Sequence, residues 1–180
     1  MAGVSSLQWR RACTLACSAA LLAQPAPAAA IAAGAPARPA ASACTTATLD
    51  VWLDTSGNGA AGSSYYDLQL TNLGRGACTL RGFPGVSAVD LRGDRVGAPA
   101  AREAGHVLRT RTLAPGATVT AVVRIVDAGN FPTASCAPVT AAGLRVYPPG
   151  QAGSRFVPFP FQTCSRAQTS TLSVAPVGAQ

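Results

Sequence analysis

The sequence predicts an all-β protein: an antiparallel β-sandwich, Ig-like, of about nine short strands held by two disulfides. Three observations lead there. Apolar and polar residues alternate in short runs after residue 43, the period at which successive side chains face opposite sides of a strand. Turn-forming clusters of Gly, Pro, Asn and Asp separate these runs, and no window of a dozen residues free of Gly and Pro carries a 3.6 period. Many short strands with frequent turns point to a sandwich. Four cysteines, Cys44, Cys78, Cys136 and Cys164, follow residue 43, and an even count in an exported chain reads as a disulfide framework.

Residues 1–30 read as a signal peptide. Arg10 and Arg11 come without an acid, Ala12 to Ala23 is small and apolar, and A-x-A sites follow, such as Ala28 to Ala30. The apolar run falls short of the roughly 20 residues that a spanning helix needs, so no transmembrane span is expected. Cys13 and Cys17 lie in this segment and stand outside the disulfide count. Thr14-Leu15-Ala16-Cys17 has Thr where a lipobox has a large aliphatic residue, so no lipid anchor is expected. Arg10-Arg11 reads as an ordinary charged n-region rather than a twin-arginine signal. Residues 31–43, nearly all Ala, Pro and Gly, form a tether that cannot bury enough apolar surface to fold. Residues 44–180 are of single-domain size. The expected location is extracytoplasmic: secreted, or in the cell envelope or periplasm.

The strands follow in order. Leu49, Val51 and Leu53 alternate with Asp50, Trp52 and Asp54, and Tyr66, Leu68 and Leu70 with Tyr65, Asp67, Gln69 and Thr71. The two runs predict a hairpin around the turn signal Gly57-Asn58-Gly59. Val119, Ala121, Val123 and Ile125 predict a longer strand, apolar on both faces because of Val122 and Val126. Shorter strands are expected at residues 79–81, 86–91, 95–98, 106–112, 143–147, 154–159 and 171–175. Arg92-Gly93-Asp94, Pro115-Gly116 and Pro148-Pro149-Gly150 supply turns. Four cysteines permit three connectivities. The hairpins favour one of them over the other two: the first would return Cys44 to Cys78, and a second, turning over Pro148-Pro149-Gly150, would bring Cys136 to Cys164. A four-cysteine zinc site would call for C-x-x-C spacing, which is missing.

All fourteen basic residues are Arg, two of them in the export segment, against seven acids, which leaves a formal +5 on the remainder. The Arg residues are scattered, without a basic run, so nucleic acid is not an expected partner. An anionic envelope polymer is compatible with that charge.

Leu70-Thr71-Asn72-Leu73-Gly74 followed by Cys78-Thr79-Leu80-Arg81-Gly82-Phe83-Pro84-Gly85-Val86 resembles the L-x-N-x-G…C-x-L-x-G-aromatic-P-x-V core of the secreted bacterial family called domain of unknown function 4232. Leu113-Ala114-Pro115-Gly116, the Cys136 segment, Leu144 to Pro149 and Cys164 follow in that family's order, so the similarity covers Cys44 to Val177. The resemblance implies an exported or lipid-anchored envelope protein with no established activity and no catalytic residues to carry over.

Several chemical motifs reduce to structure. Gly57-Asn58-Gly59-Ala60-Ala61-Gly62 has the G-x-G-x-x-G form, but a dinucleotide site needs a helix next, and Tyr65 to Thr71 alternates as a strand. Asp54 to Gly59 mimics half of a calcium loop, yet the twelfth position is Tyr65 where a bidentate Glu belongs. His106, the one histidine, would have to serve a Ser/His/Asp hydrolase, and no G-x-S-x-G elbow accompanies it. Asp50, Asp54 and Asp67 offer carboxylates for glycoside hydrolysis without any sign of the required separation. No cofactor is expected, and no metal.

Strand alternation instead points to a surface. With Leu49, Val51, Leu53, Tyr66, Leu68 and Leu70 inward, Asp50, Trp52, Asp54, Tyr65, Asp67 and Gln69 share the opposite face. That acidic, aromatic patch is the expected binding face, suited to an envelope glycan or a protein partner. The expected function is non-enzymatic binding or organisation at the cell envelope. The alternatives are an extracytoplasmic hydrolase and a small calcium-binding module.

Overall fold

A computed structural model describes residues 40–179. The signal peptide and most of the tether lie outside the described residues. Twelve strands form among those described: β1 (Ser42–Ala43), β2 (Leu49–Ala60), β3 (Ser63–Asn72), β4 (Cys78–Leu80), β5 (Gly85–Val89), β6 (Arg95–Val96), β7 (Ala101–Arg102), β8 (Arg111–Leu113), β9 (Thr118–Val126), β10 (Pro138–Tyr147), β11 (Arg155–Cys164) and β12 (Leu172–Val174). A single turn of helix, α1 (Thr133–Cys136), precedes β10. The strands make a five-stranded sheet in the order β2-β3-β9-β12-β7, a four-stranded sheet β11-β10-β5-β6 and a three-stranded sheet β1-β4-β8.

The alternation read from β2 and β3 gives the observed burial: Leu49, Val51, Leu53, Leu68 and Leu70 are buried, and Tyr66 packs half-buried against them. Ala121, Val123 and Ile125 of β9 join the same cluster, as do Val86 and Ala88 of β5, Leu144 and Val146 of β10, and Leu80 and Leu113 of the small sheet. One core therefore serves all three sheets. The two larger ones are the layers of a sandwich, because each has an apolar face that must be buried against the other.

Four features depart from the sequence reading. Two edge pairings are parallel, β1 with β4 and β12 with β7, so the sheets are mixed rather than purely antiparallel. These pairings involve two residues per strand, too few for periodicity to mark their direction. With the three-stranded sheet, they lie outside the Ig-like antiparallel pattern that the sequence suggested. The second departure is at 106–112, where strand structure is confined to β8: β4 has three residues and pairs with β8 over Leu80↔Arg111 to Cys78↔Leu113, leaving 106–110 without a partner edge. Thirdly, the fold begins at Ser42, because β1 pairs with β4 ahead of Cys44.

The fourth concerns the first hairpin. Gly57-Asn58-Gly59 is not its turn; β2 runs on to Ala60, and the turn is Ala61-Gly62, both at positive φ (40° and 76°). That is the two-residue geometry whose twist matches paired strands. The extra residues are taken up by a bulge, with Asp54 opposite Asp67 and Asn58 opposite Tyr65. Three residues on β2 thus face one on β3, which bends the edge strand.

The two disulfides are Cys44–Cys78 and Cys136–Cys164. The first joins the main core, and the second forms a satellite cluster with Ala128 and Phe131.

Candidate functional site

The outer face of the β2–β3 hairpin is built by register. Asp50 lies opposite Thr71, Trp52 opposite Gln69, and Asp54 opposite Asp67. Strand β9 continues each row, since Gln69 pairs with Thr120, Asp67 with Val122 and Tyr65 with Arg124. Trp52 sits between Asp50 and Asp54 on β2, the edge strand of the sheet, with 45% of its surface exposed. Asp50 and Asp67 are exposed, and Asp54, Tyr65 and Gln69 are half-buried.

The polar groups are anchored across strands. The Thr120 hydroxyl donates to Gln69 Oε1 at 2.9 Å, and the Thr71 and Thr118 hydroxyls are 2.8 Å apart. The Ser56 backbone N–H donates to Asp54 Oδ1 at 2.9 Å and holds that carboxyl below the usual carboxylate range. Asp54 and Asp67 are directly opposed like charges, an arrangement that weakens strand pairing. Together with Ser56, Asn58 and Tyr65 they border a pocket of about 250 Å³.

Strand β9 changes the patch that sequence reasoning drew. The Arg124 guanidinium lies 5.8 Å from the Tyr65 ring centroid and its Nε and Nη2 donate to Ser63 Oγ at 3.1 and 3.0 Å. Tyr65 is thereby engaged by a cation of the same chain, and the patch is acidic around Trp52 but basic at its Tyr65 end. Arg124 escaped the sequence reading because alternation along one strand does not say which strand lies beside it.

The other motifs have distinct surroundings. The string from Asp54 to Gly59 is bulged strand, not a loop wrapped round an ion, and among the described residues no three His, Cys, Asp or Glu side chains come together as a metal cluster. His106 follows a turn rather than opening a strand, with its Nε2 3.6 Å from Glu103 Oε2. The Ser173 hydroxyl donates to the other oxygen of that carboxylate at 2.8 Å. The carboxylate thus stands between serine and imidazole, whereas nucleophile activation requires the imidazole in the middle.

The residues of the L-x-N-x-G motif acquire a structural role. Asn72 is fully buried at the end of β3; its Nδ2 donates to the carbonyls of Gly76 (2.9 Å) and Leu113 (3.0 Å), and its Oδ1 accepts from the Gly74 N–H at 2.9 Å. It joins the β3–β4 connection to β8.

Fold and surface define a class: a small all-β, disulfide-bridged domain with an aromatic sheet face that is acidic around Trp52 and basic beside Tyr65. Within that class, the family model described as Domain of unknown function (DUF4232) matches residues 44–178, and the chain belongs to this family. No curated protein and no solved structure matches it. Among the described residues no helix is long and apolar enough to cross a membrane.

Proposed function

We propose that this chain is an exported, non-enzymatic module that works at the cell envelope and binds a glycan or partner through the Trp52 face. The observation that carries the reading is Trp52 itself, about half exposed on the edge strand β2 with Asp50, Gln69 and Asp54 as neighbours. An exposed indole offers a flat apolar surface for a sugar ring, and flanking carboxylate and amide groups accept or donate to its hydroxyls. The signal-like first 30 residues and the two disulfides support export, since such bridges persist in oxidising compartments. A non-enzymatic role is supported by Ser173 and His106 sharing the Glu103 carboxylate instead of bonding to each other.

The test is retention of the full chain on insoluble envelope glycan. Wild-type protein is expected to sediment with it, and Trp52→Ala to lose at least tenfold in affinity while keeping its melting temperature. Equal retention of a folded Trp52→Ala variant defeats the reading.

A further inference from the structure

On the other side of the hairpin from Trp52, a cleft of about 410 Å³ opens between the two large sheets. Its walls include Tyr66 from β3, Ile125 from β9, and Phe159 and Phe161 from β11, with Asp127 just after β9. The volume falls in the range of small-molecule sites. Phe159 and Phe161 alternate with Pro158, Pro160 and Gln162, so both rings lie on one face of β11. Tyr66 meets Phe159 edge-on with centroids 4.8 Å apart, and Phe159 and Phe161 stack at 5.9 Å. All three rings are only partly buried, so the core does not consume them.

The charge at this cleft runs against that of the molecule. The chain has fourteen Arg and seven acids, yet among the residues lining the cleft Asp127 alone is charged; the Arg124 guanidinium, which bonds to the lining Ser63, is held at the Tyr65 ring on the outer face. The Asp127 carboxylate is held in place: Oδ1 accepts the Gly129 N–H at 2.9 Å, and the Asp127 backbone N–H donates to the Gly62 carbonyl at 2.9 Å. Aromatic faces carry partial negative charge and attract cations. Rings and a fixed, solvent-exposed carboxylate bordering the same cleft suit a ligand that is both positively charged and clothed in hydrocarbon. A bare metal ion would need several more oxygen ligands, and the described residues hold no such cluster. A neutral apolar ligand would leave the carboxylate unused.

We infer that this cleft binds a small alkylammonium compound, with its ammonium group beside Asp127 and its alkyl groups over the Tyr66, Phe159 and Phe161 rings. The site is independent of the Trp52 face, because neighbouring residues on one strand point to opposite sides of the sheet.

Isothermal titration of the full chain with choline chloride tests this, beside 3,3-dimethylbutan-1-ol, which has the same shape with carbon in place of the charged nitrogen. Saturable choline binding is expected, with the alcohol at least tenfold weaker. Asp127→Asn, whose amide oxygen can still accept from Gly129, is expected to bind choline at least fivefold more weakly with an unchanged melting temperature. Phe161→Leu should weaken it similarly, and Trp52→Ala should not affect it. Absence of saturable choline binding, equal affinity for the neutral alcohol, or undiminished binding by Asp127→Asn would overturn the assignment.

Discussion

Asn72 shows how much a single side chain does here. Its amide satisfies two backbone carbonyls and one backbone N–H in a connection where β3, β4 and β8 converge. Removing it leaves the Leu113 carbonyl without this partner in the buried part of the connection and two part-buried groups to find others, and a buried group left unpaired costs about 1 to 3 kcal/mol. Asn72→Ala is therefore expected to destabilise the protein by about 2 to 4 kcal/mol in urea unfolding. A loss under about 0.5 kcal/mol, the size of an ordinary surface change, contradicts the role given to this residue. The motif around Asn72 was readable in the chain as a family resemblance. Its physical reason was not, because Leu113, the farthest of its partners, is remote in sequence and nothing local marks the meeting.

At the scale of elements, the β2–β3 hairpin combines a legible half with a hidden one. From Leu49 to Asp54 the apolar residues alternate cleanly because one face of the sheet is buried and the other is wet. Beyond Asp54 the pattern fades into Gly and Asn, which in sequence look like a turn and in the structure are a bulged strand. Gly57 explains the difference. A Cβ there would collide with the Tyr65 carbonyl oxygen and come within 2.6 Å of the Tyr66 ring, whereas one at Gly59 meets nothing within 4 Å. Gly57→Ala should cost about 1 to 3 kcal/mol through overpacking, and Gly59→Ala should stay within about 0.5 kcal/mol of wild type. Thermal melts of the two variants compare them directly; equal stabilities would show that the bulge does not need its glycine. One edge of each large sheet, β2 and β11, is blunted in a different way. Strand β2 carries the bulge and outward aspartates, and β11 carries Pro158 and Pro160. Both devices hinder the pairing of edges from separate molecules.

For the molecule as a whole, the two disulfides hold regions of different weight. Cys44 and Cys78 are 34 residues apart and are part of the main core, so their bridge stabilises the entire domain. By the chain-entropy account, closing a loop of that length contributes about 4 kcal/mol. Cys136 and Cys164 close a loop of similar size but belong to the satellite cluster with Ala128 and Phe131 rather than to the main core. Replacing Cys44 and Cys78 together by Ser is expected to raise amide exchange throughout the core. Replacing Cys136 and Cys164 should raise it first around residues 128–137, where the satellite cluster and α1 lie. Identical exchange patterns for the two double variants would count against this division.

The residues along the chain by themselves determined the all-β class, the two cysteine pairs as the favoured connectivity, the inward set from Leu49 to Leu70 and the outward side of β2 on which Trp52 lies; that no loop covers Trp52 was decided by the tertiary structure. The features that the chain determined depend on periodicity or on the short return of a hairpin, which neighbouring residues encode. Only the tertiary structure decided the parallel edge pairs, the Arg124 guanidinium over Tyr65, the burial of Asn72, and the meeting of Tyr66 with Phe159 beside Asp127. These juxtapositions join strands far apart in sequence. Closing the two sheets over one apolar core selects them together, and no local stretch of chain carries the choice.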